Sequence, residues 1–189
     1  MVFSSAEFLF FLVFTLAGYY LLKRWRRASN LFLTLVSLGF YAWGEPVFVL
    51  VMLASIFMNW VFGMWIDRVR SDKGAARRVM ALMVVMNIGL LGVYKYLMFF
   101  VRTVNAVFSA HFPVPEIALP IGISFFTFQA MSYVIDVYRG EGQMQRNFFN
   151  VCLYVSFFPQ LIAGPIVRYQ TVADEIEGRR ETVEDFSAG

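Results

Sequence analysis

Six stretches without one charged side chain, residues 8–22, 28–44, 46–66, 79–94, 117–135 and 147–167, take up most of this 189-residue chain. Several approach the ~20 residues that a helix needs to cross ~30 Å of hydrocarbon. The charges collect instead in clumps at residues 23–27, 67–78 and 168–189. With 59% hydrophobic and only 15% charged residues, the chain is too apolar for an ordinary soluble domain. The pattern predicts an all-α fold, a polytopic transmembrane helical bundle of about five to six membrane segments. No internal repeat, low-complexity run or interdomain linker divides it, so residues 1–189 read as a single transmembrane domain. A soluble globule, a disulfide-stapled secreted domain and a nucleic-acid binder are set aside; the net charge of +3 belongs to loop Lys and Arg.

Orientation follows from the basic residues. With the N-terminus outside, the inner loops hold Lys23, Arg24, Arg26, Arg27, Arg68, Arg70, Lys73, Arg77, Arg78, Arg139 and Arg146, and the outer loops hold only Arg102. That asymmetry predicts a periplasmic N-terminus. Glu7 rather than a basic residue precedes the first apolar run, so that run reads as a retained transmembrane helix and not a signal peptide. A sixth simple crossing would carry Arg168, Arg179 and Arg180 outside, against the trend. Pro159 and the Gly164-Pro165 pair interrupt that stretch, which leaves two readings: a broken, re-entrant segment that returns the tail to the cytoplasm, or a tilted and kinked crossing. Beyond it, Val172, Ile176, Val183 and Phe186 among many charges suggest an interfacial helical stretch.

Polar atoms inside the apolar stretches are costly unless they face protein, water or a ligand. Gln129, Ser132, Tyr133 and Asp136 are spaced i, i+3, i+4, i+7 and share one helix face, which either locks the bundle by hydrogen bonds or walls a polar cavity. Asp136 has a third option, pairing with Arg139 at the interface. Lys95, between Tyr94 and Tyr96, is either a snorkelling residue in an aromatic belt or a buried cation for an anionic substrate; nearby Arg102 favours snorkelling. Asn59 and Asn87 read as bundle contacts. Cys152, the one cysteine, reads as a small packed residue, no metal cluster is visible, and His111 reads as a solvated loop residue beside Pro113.

Two motifs carry a resemblance. The run Leu119-Pro120-Ile121-Gly122-Ile123-Ser124-Phe125-Phe126-Thr127-Phe128-Gln129, continuing to Tyr133, Asp136 and Arg139, resembles a hallmark of the membrane-bound O-acyltransferase family. So does Phe157-Phe158-Pro159-Gln160-Leu161-Ile162-Ala163-Gly164-Pro165-Ile166, followed by Arg168-Tyr169. The Tyr41-Ala42-Trp43-Gly44-Glu45-Pro46 turn and Tyr94-Lys95-Tyr96 are similar to its bacterial alginate O-acetyltransferase branch. The resemblance implies an inner-membrane enzyme that passes acetyl from a cytoplasmic donor, acetyl-CoA or similar, toward periplasmic acetylation partners and a polysaccharide acceptor, with membrane lipid around it and no bound cofactor. It implies further that the catalytic His lies in a downstream segment. His111 does not match it, so no catalytic residue is assigned in this chain.

Pro120, Gly122, Ser124, Gln129, Tyr133, Asp136, Arg139, Pro159, Gln160, Gly164 and Pro165 are the candidate cavity-lining or motif residues. Gly122 and Gly164 are expected to permit close backbone approach, and Pro159 and Pro165 to free carbonyls. Thr182-Val183-Glu184-Asp185 has the shape of a capping box, which reads as a helix begun and cut, as in the N-terminal part of a longer acyltransferase that is expected to be unstable without the rest of the bundle. A transporter or channel half, a non-catalytic membrane scaffold and, within the family, D-alanyl transfer to teichoic acid are the competing functions.

Overall fold

The computed structural model describes residues 6–164 and 167–179, and helix is the only regular structure among them. The elements are α1 (Ala6–Leu22), α2 (Arg26–Gly44), α3 (Phe48–Arg68), α4 (Lys73–Leu91), α5 (Leu97–Phe108), α6 (Ile123–Arg139), α7 (Phe148–Ser156), α8 (Phe158–Ala163) and α9 (Tyr169–Gly178). The all-α expectation holds. Two helices, Phe48–Arg68 and the continuous Lys73–Phe108, are long and apolar enough to cross a membrane, and Ala6–Leu22 is a shorter apolar helix.

Local chemistry sets the ends of these helices. Asp72 starts α4 by accepting from the backbone N–H of Gly74 at 2.8 Å and of Ala75 at 3.1 Å, and Asn147 starts α7 by accepting from Phe149 N at 3.0 Å. Gly122 precedes α6 at φ 75°, a left-handed conformation in which a Cβ is strained. A Cβ there would meet nothing within 4 Å, so Gly122 is required by its backbone angle and not by the close approach expected of it. A π turn, Gly92–Tyr96, joins α4 to α5 without ending the long helix. Lys95 lies in it, exposed, with Nζ 5.6 Å from the centre of the Tyr96 ring. The contact with Tyr96 fits the aromatic-belt reading of this residue.

Helix α6 is the centre of the packing, lying against α3, α4, α7 and α9, while α2 lies against α1, α3, α7 and α8. The ends of the bundle are fixed by contacts between remote loops. Gly140, just past α6, sits beside the Arg70 guanidinium after α3, and the Tyr41 hydroxyl near the end of α2 donates to Ile121 O before α6 at 2.9 Å. The described residues of the sixth apolar stretch fold back within the bundle. Asp136, at the end of α6, accepts from Gln170 N at the start of α9 at 3.2 Å, so the chain between them dips into the bundle and returns to the same end. That geometry fits the re-entrant reading of residues 147–167.

The break lies at Phe157, with φ −53° and ψ 110°, ahead of both sequence signals. Pro159 falls in the first turn of α8, where a missing N–H costs nothing. α9 is helical, as expected; it docks on α6 and α7 and buries Tyr169 and Ile176. Pro165, Val183, Phe186 and the 182–185 capping box lie outside the described residues.

Large apolar side chains stand on the outer surface, among them Phe10, Phe14 and Leu21 on α1 and Phe99 and Phe100 on α5, which buries none of its residues. Helices apolar all round are suited to lipid, where such surfaces need no further cover.

Candidate functional site

The polar atoms expected to face inward converge on α7. This helix is buried from Asn150 to Ser156 and is held between two polar stripes. One stripe is the predicted face of α6. Gln129 Nε2 donates to Tyr154 O at 2.6 Å, and the Ser132 hydroxyl lies 2.7 Å from the Tyr154 hydroxyl. The Tyr154 hydroxyl in turn donates to Val167 O at 2.7 Å, which ties the returning chain to the re-entrant helix. The Tyr133 hydroxyl accepts from Gln145 N at 3.2 Å, and its ring meets Tyr169 edge-on at 4.8 Å between centres. Asp136 is 2% exposed and takes its partner from the α9 backbone. Its pairing with Arg139 does not occur among the described residues, because Arg139 points outward, exposed, from the end of α6.

The second stripe lies on α2 and follows the same helical spacing. Asn30, Thr34, Ser37 and Tyr41 are all buried. Asn30 Nδ2 donates to Asn150 Oδ1 at 3.3 Å and to Ile176 O at 2.9 Å. The Thr34 hydroxyl reaches Phe149 O at 3.3 Å, and Ser37 Oγ accepts from Phe158 N at 3.4 Å, just past the break. A break at membrane depth leaves backbone groups without helical partners, and protein side chains must supply them. Here α2 supplies one to the start of α8.

The candidate residues divide accordingly. Gln129, Tyr133 and Asp136 belong to the seam and are sealed by α7 and α9. Pro120 is buried in the turn before α6, Ser124 is half-buried in its first turn, and Gly122 sets the turn. Pro159 and Gln160 line a different feature, an apolar cavity of about 390 Å³ between α1, α2, α7, α8 and α9. Gly164 is not among the residues lining that cavity: a Cβ there would lie 2.8 Å from Gln160 Cα, so the closeness expected of it is to its own preceding turn. Asn59 and Asn87 form a reciprocal pair, each side-chain amide donating to the other at 2.9 and 3.0 Å. Cys152 is buried and His111 exposed.

Residues not singled out from the sequence complete the seam. The α2 stripe carried the same i, i+4, i+7 signal as α6 and was legible. Tyr154 carried one too, as a hydroxyl in the middle of an uncharged stretch. Gly63 carried none: a Cβ there would lie 2.8 Å from the Tyr133 ring, a closeness that only the packed α3 and α6 reveal. Two acceptors or hydroxyls in the seam's helix, Gln129 Oε1 and Thr127 Oγ1, are buried without a protein partner. Among the described residues no group of three His, Cys, Asp or Glu side chains gathers as metal ligands.

A probable alginate O-acetylase AlgI of Pseudomonas aeruginosa is 38% identical over 193 residues, covering 100% of this chain and 37% of that protein. The probable alginate O-acetylase AlgI of Azotobacter vinelandii is 39% identical over 194 residues, with 100% and 38% covered. Along its whole length the chain is related to these alginate O-acetylases, which are of the membrane-bound O-acyltransferase family. A peptidoglycan O-acetyltransferase of Helicobacter pylori is 29% identical over 208 residues, covering 95% of this chain and 39% of that protein. The chain therefore spans less than half the length of these relatives. No family model and no solved structure matches it, so the relationship rests on identity along the whole chain. The resemblance carried by the Pro120 and Pro159 motifs is borne out.

Proposed function

We propose that the chain forms part of a bacterial inner-membrane O-acetyltransferase that esterifies an exopolysaccharide, alginate first, with acetyl drawn from a cytoplasmic donor such as acetyl-CoA and passed toward periplasmic partner proteins. The observation that carries this reading is identity of 36–39% across the full chain to proteins named alginate O-acetylase. The helices α1, α2, α3, the long helix of α4 and α5, and α6 are its five crossings, with a periplasmic N-terminus, and α7 with α8 is its re-entrant element. Such a topology gathers the basic clusters at one end, since Arg70, Gly140 and α9 all lie there.

Acyl transfer to a hydroxyl needs a base that takes the proton and donors that meet the developing oxyanion. By family resemblance the base is a His outside this chain. This chain's share is architectural: the two stripes on α2 and α6 hold α7 at a fixed depth, which sets the floor on which a donor from the cytoplasmic side would rest. Peptidoglycan is the second acceptor to consider, and the Helicobacter relative favours it.

Deleting the gene in an alginate-producing host and measuring ester acetyl on the secreted polymer by proton NMR tests the proposal. An acetyl-free polymer, restored by the intact gene, is expected. Unchanged alginate acetylation refutes the reading, and if peptidoglycan acetyl falls instead, the acceptor is the cell wall.

A further inference from the structure

The cavity beside the seam has walls far more apolar than acetyl transfer needs. Leu12 and Leu16 of α1, Leu33 of α2, Leu153 of α7, Phe158 of α8 and Ile176 of α9 face it, and its volume of about 390 Å³ lies in the range of small-molecule sites. An acetyl group has two carbons and would leave nearly all of that space empty. A long hydrocarbon chain fills it.

One end of the cavity is polar and charged. Tyr19, Glu175 and Arg179 line it, and the Arg179 guanidinium lies 4.9 Å from the centre of the Tyr19 ring while its Nε donates to the Tyr19 hydroxyl at 2.7 Å. This end abuts the turn between α1 and α2, because Arg26 donates to Arg179 O. The same turn presents Lys23, Arg24 and Arg27, all exposed, and Glu175 is the acid that lines the cavity beside them. The basic residues outnumber it. An apolar shaft under a basic turn, at the end of a helix whose outer face is Leu9, Phe10, Val13 and Phe14, complements an amphiphile with an anionic head.

We propose that this cavity is a binding site for one anionic phospholipid, with an acyl chain between α1 and the α7–α9 segment and its phosphate over the α1–α2 turn. The lipid fills the space left between α1, which lies mainly against α2 and meets α8 through Phe8 and Phe11 on Phe158, and the α7–α9 segment. Each methylene buried there adds favourable transfer only relative to water, so the head group sets the selectivity, and the cavity the stoichiometry.

Native mass spectrometry of the whole chain in neutral detergent, titrated with palmitoyl-oleoyl phosphatidylglycerol or the matching phosphatidylcholine, reads both. One phosphatidylglycerol per chain is expected, held in preference to phosphatidylcholine. Arg24→Gln with Arg27→Gln, at exposed positions, should lower that preference by about fivefold per charge removed. Leu33→Trp and Leu12→Trp, which fill the shaft from two different helices, should abolish one-to-one retention while far-ultraviolet circular dichroism stays helical. Equal retention of the two lipids overturns the proposal, as does a helical filled variant that keeps the lipid. If both filled variants lose their helicity, the Arg24 and Arg27 double variant decides alone: an unchanged preference overturns the site.

Discussion

The Asn59–Asn87 pair shows what a single polar residue does in this molecule. Each amide donates to the other, and each also donates to the carbonyl one turn back on its own helix, Ser55 O or Met83 O, at 2.9 Å. Both residues are fully buried, so no donor or acceptor is replaced by solvent when one partner is removed. Asn59→Leu should destabilise the fold by about 1–3 kcal/mol by orphaning Asn87, and Asn87→Leu added to it should cost less than the sum of the two single changes. Thermal unfolding of the four proteins of that cycle in detergent measures the coupling; additive losses would show that the pair is merely adjacent. The sequence named both residues as bundle contacts because an amide in an uncharged stretch has few other uses. It did not name them as partners, since no spacing rule links positions on different helices. The close approach of Gly63 to Tyr133 was illegible for the same reason.

At the level of elements, turn chemistry can be read residue by residue. Gly122→Ala forces a Cβ into φ 75° with no compensating contact, and should lower stability by about 1 kcal/mol or more, seen as a lower melting temperature without loss of helix content. Asp72 gives α4 a pH-sensitive start. Hydrogen bonds from Ala75 N and Gly74 N hold its carboxyl below the usual value of 3.8. With the folded value depressed, the cap is fully present above the ordinary carboxyl pKa and is lost as pH falls through the lower folded one. The Ala75 amide resonance should therefore titrate with a midpoint below 3.8, and a midpoint at or above it would mean that the cap contributes nothing. The start of α4 and the left-handed turn before α6 lie in local sequence. The π turn at Gly92–Tyr96 and the break at Phe157 do not, because both are decided by what packs against the helix: Ser37 of α2 receives the N–H of Phe158, and no residue near Phe157 announces that donor.

For the whole molecule, the charge-free stretches made the all-helical class legible, but length alone could not say which of them cross. The stretch at residues 147–167 is as long and as uncharged as the others, yet its described residues fold back, and polar side chains on α2, α6 and α7 itself are positioned to satisfy its backbone, where a plain crossing would leave those of α2 and α6 facing lipid. Its return makes a topological prediction. In a Cys152→Ala background, Ser71→Cys, Gln143→Cys and Thr171→Cys should all react with a membrane-impermeant maleimide from one side, and His111→Cys from the other. Ser71 follows α3, Gln143 lies between α6 and α7, and Thr171 lies in α9, three places that the contacts of Gly140 with Arg70 and of Asp136 with Gln170 bring to one end. If Thr171→Cys reacted together with His111→Cys, residues 147–168 would cross after all, the seam around α7 would be misassigned, and the basic residues Arg168 and Arg179 would stand on the opposite side from Arg24 and Arg27. Labelling of all three in inverted vesicles but not in sealed spheroplasts would in addition place the N-terminus outside, as the distribution of Lys and Arg predicts.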